Sequence, residues 1–325
     1  MGMTQDVLIS VVIPVKNGDA WLSDTIGALL RQSIINKCEI IIIDSGSTDA
    51  TRNILKAFPV RVIEINADEF NHGETRNLGA KLSTGSYVAM TVQDAKPIGD
   101  SWLRDLLECF DDDKVAGVCG QQIVPHDPDK NPIEWFKPIS QPAKTKYYYP
   151  NFIDFERLTL AAQKKICSWD NVNALYRREY LLKVPFRKVG FAEDIMWAKD
   201  ALQAGYSIVY NNFAKVEHYH HDTADSIFKR NFTGRYHLYK YFGIIPKVDK
   251  DNFVAFLRNI KTLVGTKGIS LGSKLKWLGY NMELRKAIMR SDNLFIQTLN
   301  SGVEALDLKH AELCKEAPQA LKPIG

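Results

Sequence analysis

Val7–Pro14 is a nearly unbroken apolar run rich in β-branched residues, the pattern of a strand buried on both faces. Trp21–Gln32 follows with Trp21, Leu22, Ile26, Leu29 and Leu30 spaced close to the helical period. Glu39–Asp44 reads as a second buried strand and Thr48–Phe58 as a helix that Ser47 can cap. Val60–Ile65, Glu74–Leu82, Tyr87–Val92 and Trp102–Phe110 continue the alternation. Successive strand–helix units predict an α/β fold, a parallel sheet with helices on both faces. Ligands of such sheets bind beyond the carboxyl ends of the strands, which directs attention to the residues after Pro14, Ile43 and Val92.

From Gln122 to Tyr149 the periodicity dissolves into Pro, Lys and Tyr, and a stretch of 28 irregular residues reads as a functional loop. Within it Lys144–Tyr149 can order over a ligand as a lid or remain a solvated loop. Regular patterns return at Ile153–Ile166, at Asp194–Ala204 (helix), Ser207–Tyr210 (strand) and Ala224–Phe242 (helix), and the chain reads helical after Pro246. Two regions are expected: residues 1–245 as an α/β domain and 246–325 as a helical extension.

The totals narrow the function classes. A chain of 325 residues with 45% apolar and 25% charged residues can bury a sizeable core without staples. A net charge of +4 is too weak to imply a nucleic-acid partner. Cys38, Cys109, Cys119, Cys167 and Cys314 are scattered, with no C-x-x-C pair, which speaks against a cysteine zinc site and for reduced thiols. No basic region followed by an apolar stretch opens the chain, and its longest apolar run falls far short of the roughly 20 residues that span a bilayer. A cytoplasmic location is the expectation.

Three polar clusters sit where the sheet would present a ligand. Asp44-Ser45-Gly46-Ser47-Thr48-Asp49 follows the second strand and offers acceptors and helix-terminal N–H groups to a nucleoside, or is a capped turn. Gln93-Asp94 follows another buried strand, and a carboxylate there can hold Mg²⁺ or Mn²⁺ against a pyrophosphate. Gly190-Phe191-Ala192-Glu193-Asp194 opens a helix; acids in a first turn suit the helix dipole, and one of them can equally take a proton from a hydroxyl.

The order of these motifs carries a resemblance. Val11-Val12-Ile13-Pro14-Val15-Lys16-Asn17 followed by Ile42-Ile43-Asp44-Ser45-Gly46-Ser47-Thr48-Asp49 resembles the opening of family 2 glycosyltransferases. Asn71-His72-Gly73-Glu74-Thr75-Arg76-Asn77-Leu78-Gly79-Ala80, Gln93-Asp94-Ala95 and Phe191-Ala192-Glu193-Asp194 are similar to the bacterial rhamnosyltransferases of that family, which build O-antigen and related surface polysaccharides. The resemblance spans residues 7 to about 242 and implies a GT-A fold, Rossmann-like with a mostly parallel central sheet and flanking helices.

It also implies an inverting transfer from a nucleotide-sugar, dTDP-rhamnose in first place and a UDP-hexose in second, to a glycan or lipid-linked glycan. Pro14, Lys16, Asp44, Ser45 and Gln93 would line the nucleoside, and Arg76 would face base or phosphates with its forked guanidinium. Asp94 matches the second acid of the D-x-D motif and would bind Mg²⁺ or Mn²⁺ with His218 or His220, on a predicted strand. Asp194 matches the catalytic base, and Glu193 would orient it or touch the acceptor. Trp169, Asn171, Asn173 and Trp197 read as sugar-facing positions or as core. Val92 and Ser45 stand where the family's commoner sequences carry acids, departures that the rhamnosyltransferases share.

The segment from Leu257 to Arg290 has eight basic residues against the single acid Glu283, interleaved with Leu and Trp. Such a face can lie on an anionic membrane surface, pair with a second copy of the chain, or stay solvated. Two rival readings remain. A nucleotidyltransferase would show a Gly-rich loop after the first strand, where only Gly18 stands, and a non-catalytic sugar-binding protein would need neither base nor metal. The absence of G-x-G-x-x-G there excludes a dinucleotide-binding oxidoreductase.

Overall fold

The computed structural model describes residues 7–135, 143–246 and 252–313; Cys314 and parts of the expected irregular loop and of the C-terminal extension lie outside these. The chain divides into two compact units, Met1–Ile123 with Ser140–His218, and Val124–Ile139 with Tyr219–Gly325.

The first unit is built on a single sheet of strands β1 (Ile9–Val15), β2 (Cys38–Asp44), β3 (Arg61–Glu64), β4 (Tyr87–Met90), β5 (Lys96–Pro97), β6 (Val115–Ile123), β7 (Lys144–Tyr147), β8 (Ala174–Arg177) and β9 (Ser207–Glu217). The order is β3-β2-β1-β4-β8-β6-β9-β5, with β7 on β9. Strands β3, β2, β1 and β4 run parallel, as the apolar runs imply, and β6 runs parallel to β9. β8 enters antiparallel between β4 and β6, so the sheet as a whole is mixed. Pro14 is tolerated in a central strand because the β4 ladder ends at Val12↔Met90, leaving no partner waiting for its missing N–H.

Helices α1 (Leu22–Leu30), α2 (Thr51–Leu55), α3 (His72–Leu82) and α4 (Trp102–Leu107) are the connections expected from the sequence. The helix expected over Thr48–Phe58 is shorter, and Ser47 does not cap it. Its hydroxyl is engaged by Asp44 at 2.6 Å, and Ala50 stands at the N-cap. α3 starts one turn-half earlier than its apolar pattern suggested because the Asn71 side chain accepts from the N–H groups of Gly73 and Glu74. A Cβ at Gly79 of α3 would fall 2.3 Å from Val12 Cγ1, so this helix packs against β1 at a distance only glycine permits.

In the second unit a short α5 (Pro132–Trp135) is joined, after α6 (Phe152–Glu156), α7 (Leu160–Ile166), α8 (Arg178–Lys183) and α9 (Glu193–Gln203) of the first, by α10 (Ala224–Phe242), α11 (Asn252–Gly265), α12 (Leu271–Asn300) and α13 (Val303–Leu313). Phe232, Phe295 and Leu306 form its buried apolar centre. Asp292 on α12 clamps α10, accepting from Asn231 Nδ2 at 2.8 Å and from Arg235 Nε at 2.8 Å. None of the helices among the described residues is long and apolar enough to cross a membrane.

Two local expectations change. Lys144–Tyr147 is not an irregular lid but strand β7, antiparallel to β9 from Lys144↔Asn211 to Tyr147↔Ile208. Its alternation of Lys and Thr suits an exposed sheet edge, which explains why it did not read as a buried strand. His218, His220 and His221 lie just past the end of β9 rather than on it.

Candidate active site

The carboxyl ends of β1, β2 and β4 come together as the parallel order requires, and their loops are stapled to one another. Gln93 accepts from the Lys16 N–H at 2.9 Å and donates back to the Lys16 carbonyl at 3.3 Å. Asn17 sits in the left-handed region (φ 51°), a conformation Asn adopts more readily than most residues, and its Oδ1 accepts from the Thr48 N–H at 2.9 Å. Asp44 is fully buried and engaged by Ser47 and by Arg52 Nε at 3.1 Å. Ser45 is buried too, its hydroxyl donating to the Val15 carbonyl. Asp44 and Ser45 therefore shape the turn beneath the loop, while Pro14, Lys16 and Gln93 lie at its partly exposed edge.

The short β5 pairs Lys96 with Glu217 and so clips the Asp94 turn against the end of β9. His218 Nε2 lies 3.6 Å from Asp94 Oδ1, both side chains being about nine-tenths buried. The chain passes from the first unit to the second just after His218, and His220 belongs to the second. Within the first unit Asp94 and His218 each offer one atom of the kind that ligates a divalent cation. An imidazole beside a carboxylate suits Mn²⁺ better than Mg²⁺, which prefers oxygen.

The second half of the site surrounds the start of α9. Ala192 precedes it in the left-handed region (φ 68°), a strained position for a residue with a Cβ, of the sort found at functional turns. That turn sets Glu193 and Asp194 side by side. Arg76 Nη1 donates to Glu193 Oε1 at 3.0 Å in a buried pair, so Arg76 is partnered by an acid of α9 and not by one on its own helix. Burial alone would raise the Glu193 carboxyl, but Arg76, His72 and the Asn171 amide outweigh it and hold it below the usual range. Burial, Glu193 and Asp170 together push Asp194 well above it. His72 is depressed by burial and by Arg76.

Four residues expected against a sugar have other partners. Trp169 and Trp197 are 3% and 1% exposed, with ring centroids 5.2 Å apart. Trp169 Nε1 donates to the Tyr176 hydroxyl and Trp197 Nε1 to the Val184 carbonyl, so both are core residues because every face and polar atom is already covered. Asn173 is fully buried, accepting from Trp102 Nε1 and donating to the carbonyls of Gln121 and Ala214. Asn171 is buried as well: it accepts from Tyr176 and donates to Glu193 Oε1 at 3.0 Å, linking the aromatic core to the acid beside Asp194.

Sequence reasoning did not single out Tyr176 or Gln122, and met Asp170 only as part of the stretch Trp169–Ala174. Asp170, whose carboxyl burial raises, is engaged by Gln122 and by the Val172 N–H. An Asp-x-Asn turn after a Trp was visible in the sequence, but nothing local connects it to Gln122, 48 residues away.

A family model described as Glycosyl transferase family 2 matches residues 10–184, which include β1, β2 and the Asp94 turn. The chain belongs to that family. This glycosyltransferase is 34% identical to the O-antigen chain rhamnosyltransferase WbaN of Salmonella anatum, over 70% of this chain and 71% of that one. It is 32% identical to the O-antigen chain rhamnosyltransferase RfbN of Salmonella typhimurium, over 70% and 72%. Its fold is similar to that of the mannosyltransferase PcManGT from Pyrobaculum calidifontis in complex with GDP-Man and Mn²⁺, with a TM-score of 0.52 at 16% identity, covering 97% of this chain and 82% of that one. Staphylococcus aureus TarS 1–349 in complex with UDP-GlcNAc superposes with a TM-score of 0.51 at 15% identity, covering 95% and 89%. The architecture is GT-A, with the helical region following it.

Proposed function

We propose that this glycosyltransferase moves L-rhamnose from dTDP-rhamnose to a hydroxyl of a glycan or lipid-linked glycan, with inversion and with a divalent metal, in the assembly of a bacterial surface polysaccharide. The observation that carries the reading is the pairing of two chemistries in one unit: Asp94 with His218 beyond the sheet, and a single base, Asp194, with a raised carboxyl. The relatives named as rhamnosyltransferases point to the sugar.

Asp94 with one histidine, His218 in first place and His220 in second, would hold the ion, which when bound supplies positive charge against the diphosphate. Pro14, Lys16 and Gln93 line the nucleotide side, above the turn that Asp44 and Ser45 brace. Arg76 keeps a buried Nε without a hydrogen-bond partner, a donor suited to an anionic group of the substrate. Asp194 takes the proton of the acceptor hydroxyl as the new C–O bond forms and the bond to the diphosphate breaks. Attack from the face opposite the leaving group inverts the anomeric centre, and no second carboxylate nucleophile is needed. Glu193, fixed by Arg76 and Asn171, keeps a negative charge beside Asp194 and so strengthens it as a base.

Calorimetric titration of dTDP, UDP and GDP with and without Mn²⁺ tests the donor. Metal-dependent preference for dTDP is the expected outcome. Preference for UDP would replace rhamnose by a hexose donor, and no binding of any nucleotide would end the catalytic reading.

We also propose that the second unit meets an anionic lipid surface, at the inner face of the cytoplasmic membrane. Val254, Leu257 and Val264 fall on one face of α11 and Leu271 and Leu275 on one face of α12, all between 47% and 74% exposed. Residues 252–282 contain Arg258, Lys261, Lys267, Lys274 and Lys276 and no acid. Exposed leucines among lysines match the apolar edge and the charged headgroups of such a surface.

A further inference from the structure

We infer that Gln122, backed by Asp170, is a positioning residue that decides which nitrogen of His218 carries the proton, and thereby makes His218 a metal ligand. The inference rests on the metal reading given above.

Gln122 Oε1 lies 2.6 Å from His218 Nδ1, and Gln122 Nε2 donates to Asp170 Oδ2. The other oxygen, Asp170 Oδ1, accepts from the Val172 N–H at 2.8 Å. A carboxylate only accepts, so the amide nitrogen of Gln122 has to face Asp170. Its oxygen is then the atom that faces His218, and an oxygen can only accept. Nδ1 must therefore carry the hydrogen, and Nε2 is left as the basic nitrogen on the side of Asp94, 3.6 Å away. Metal-binding histidines are oriented in this way by an acceptor on the second nitrogen, commonly a carbonyl or carboxylate. Here the acceptor is a side-chain amide whose own direction is set by an acid.

The backbone is built to bring these three together. The ladder between β6 and β9 runs Cys119↔Tyr210 and then Gln121↔Lys215, so four residues of β9 stand opposite Gly120 alone. This irregularity re-registers the strands just before Gln122↔Val216 and Ile123↔Glu217, and bulges of this kind re-aim side chains beside active sites. The tight passage at Gly120 fits the same purpose: a Cβ there would fall 2.4 Å from the Ala214 carbonyl.

The test is Mn²⁺ affinity of the full chain by calorimetry, with the tautomer of His218 read from imidazole ¹⁵N shifts in the metal-free protein. The wild type should show Nδ1–H. Gln122→Leu should lose about 10- to 100-fold in Mn²⁺ affinity, the range for removal of a ligand's supporting partner. Asp170→Asn, the same size, should lose a similar factor. Its oxygen stays with the Val172 N–H, its NH₂ turns the Gln122 amide around, and His218 becomes Nε2–H. Gln122→Glu keeps an acceptor toward Nδ1 and, with one proton shared between the new carboxylate and Asp170, should keep the Nδ1–H tautomer of His218. Melting curves without metal show whether each variant folds, and the wild-type tautomer tests the inference even where one does not. An Nε2–H tautomer in the wild type overturns it, as does undiminished Mn²⁺ binding by Gln122→Leu and Asp170→Asn. A wild type that binds no Mn²⁺ sinks the metal reading itself and this inference with it, and is recognised because it needs no variant.

Discussion

As the base of the proposed reaction, Asp194 sets chemistry and stability against each other. Burial and the neighbouring Glu193 and Asp170 raise its carboxyl, which makes it a stronger base than a solvated aspartate. The turnover of the wild type should therefore fall on the acid side at a pH above the ordinary carboxylate range, and the pH profile of kcat measures this. The linkage has a definite sign. A raised folded-state value means that the native protein holds a proton the unfolded chain has released, so stability declines as pH rises from the unfolded value through the folded one. Above that window the native state carries an unfavourable buried charge. Asp194→Asn should lower turnover by about 10²- to 10⁴-fold, the usual loss for a general base, while nucleotide affinity is kept and the melting temperature at neutral pH rises. A variant that melts lower and retains turnover would remove Asp194 from the role of base.

At the scale of elements, the site depends on how closely α3 lies on the sheet. This helix carries Arg76, whose guanidinium reaches Glu193 at the start of α9, and it ends its approach to β1 at Gly79. Gly79→Ala gains helix propensity, worth about 1 kcal/mol. The added methyl, however, would sit 2.3 Å from Val12 Cγ1 and 3.2 Å from Ile43 Cδ1, on the two central strands. Overpacking of this kind costs about 1–3 kcal/mol and should win, so chemical denaturation should show a net loss of stability. Because the shift would also move Arg76, KM for the donor should rise. An alanine variant as stable as the wild type would mean that α3 can lift from the sheet without cost.

At the scale of the molecule, each unit contributes a different surface. The first gathers acids and the His218 imidazole beyond the ends of its strands; the second presents exposed leucines and valines among the lysines of α11 and α12. Sedimentation with vesicles rich in anionic lipid at low salt should retain the protein, and salt should release it as the headgroup attraction is screened. Leu271→Ser with Leu275→Ser removes two exposed leucines and no charge, and should weaken retention by about tenfold or more if they enter the interface. Equal retention on neutral vesicles, or by the double variant, would overturn the lipid contact. A dimer in solution that dissociates with the same substitutions would assign the face to a second copy instead.

The central strands and the first helices were legible in the sequence, because a strand buried on both faces has to be apolar throughout, and the motifs that end β1, β2 and β4 do lie together as a parallel order requires. The positions of Asp94, Glu193 and Asp194 were legible too, just past a strand or in the first turn of a helix. Local pattern went astray where partners come from far along the chain. Ser47 looked like a cap until Asp44 claimed its hydroxyl, and Lys144–Tyr147 looked like a loop because an edge strand needs no apolar face. Trp169, Trp197 and Asn173 carry side chains equally fit for a sugar or for a core, and only packing assigned them to the core. Composition and spacing determined an α/β chain with acids at the mouth of its sheet, and the resemblance of its ordered motifs is what made it a glycosyltransferase. Only the tertiary structure decided that Arg76 meets Glu193 across 117 residues and that Gln122 meets His218 across 96, because hydrogen bonds depend on distance in space, which spacing along the chain does not fix.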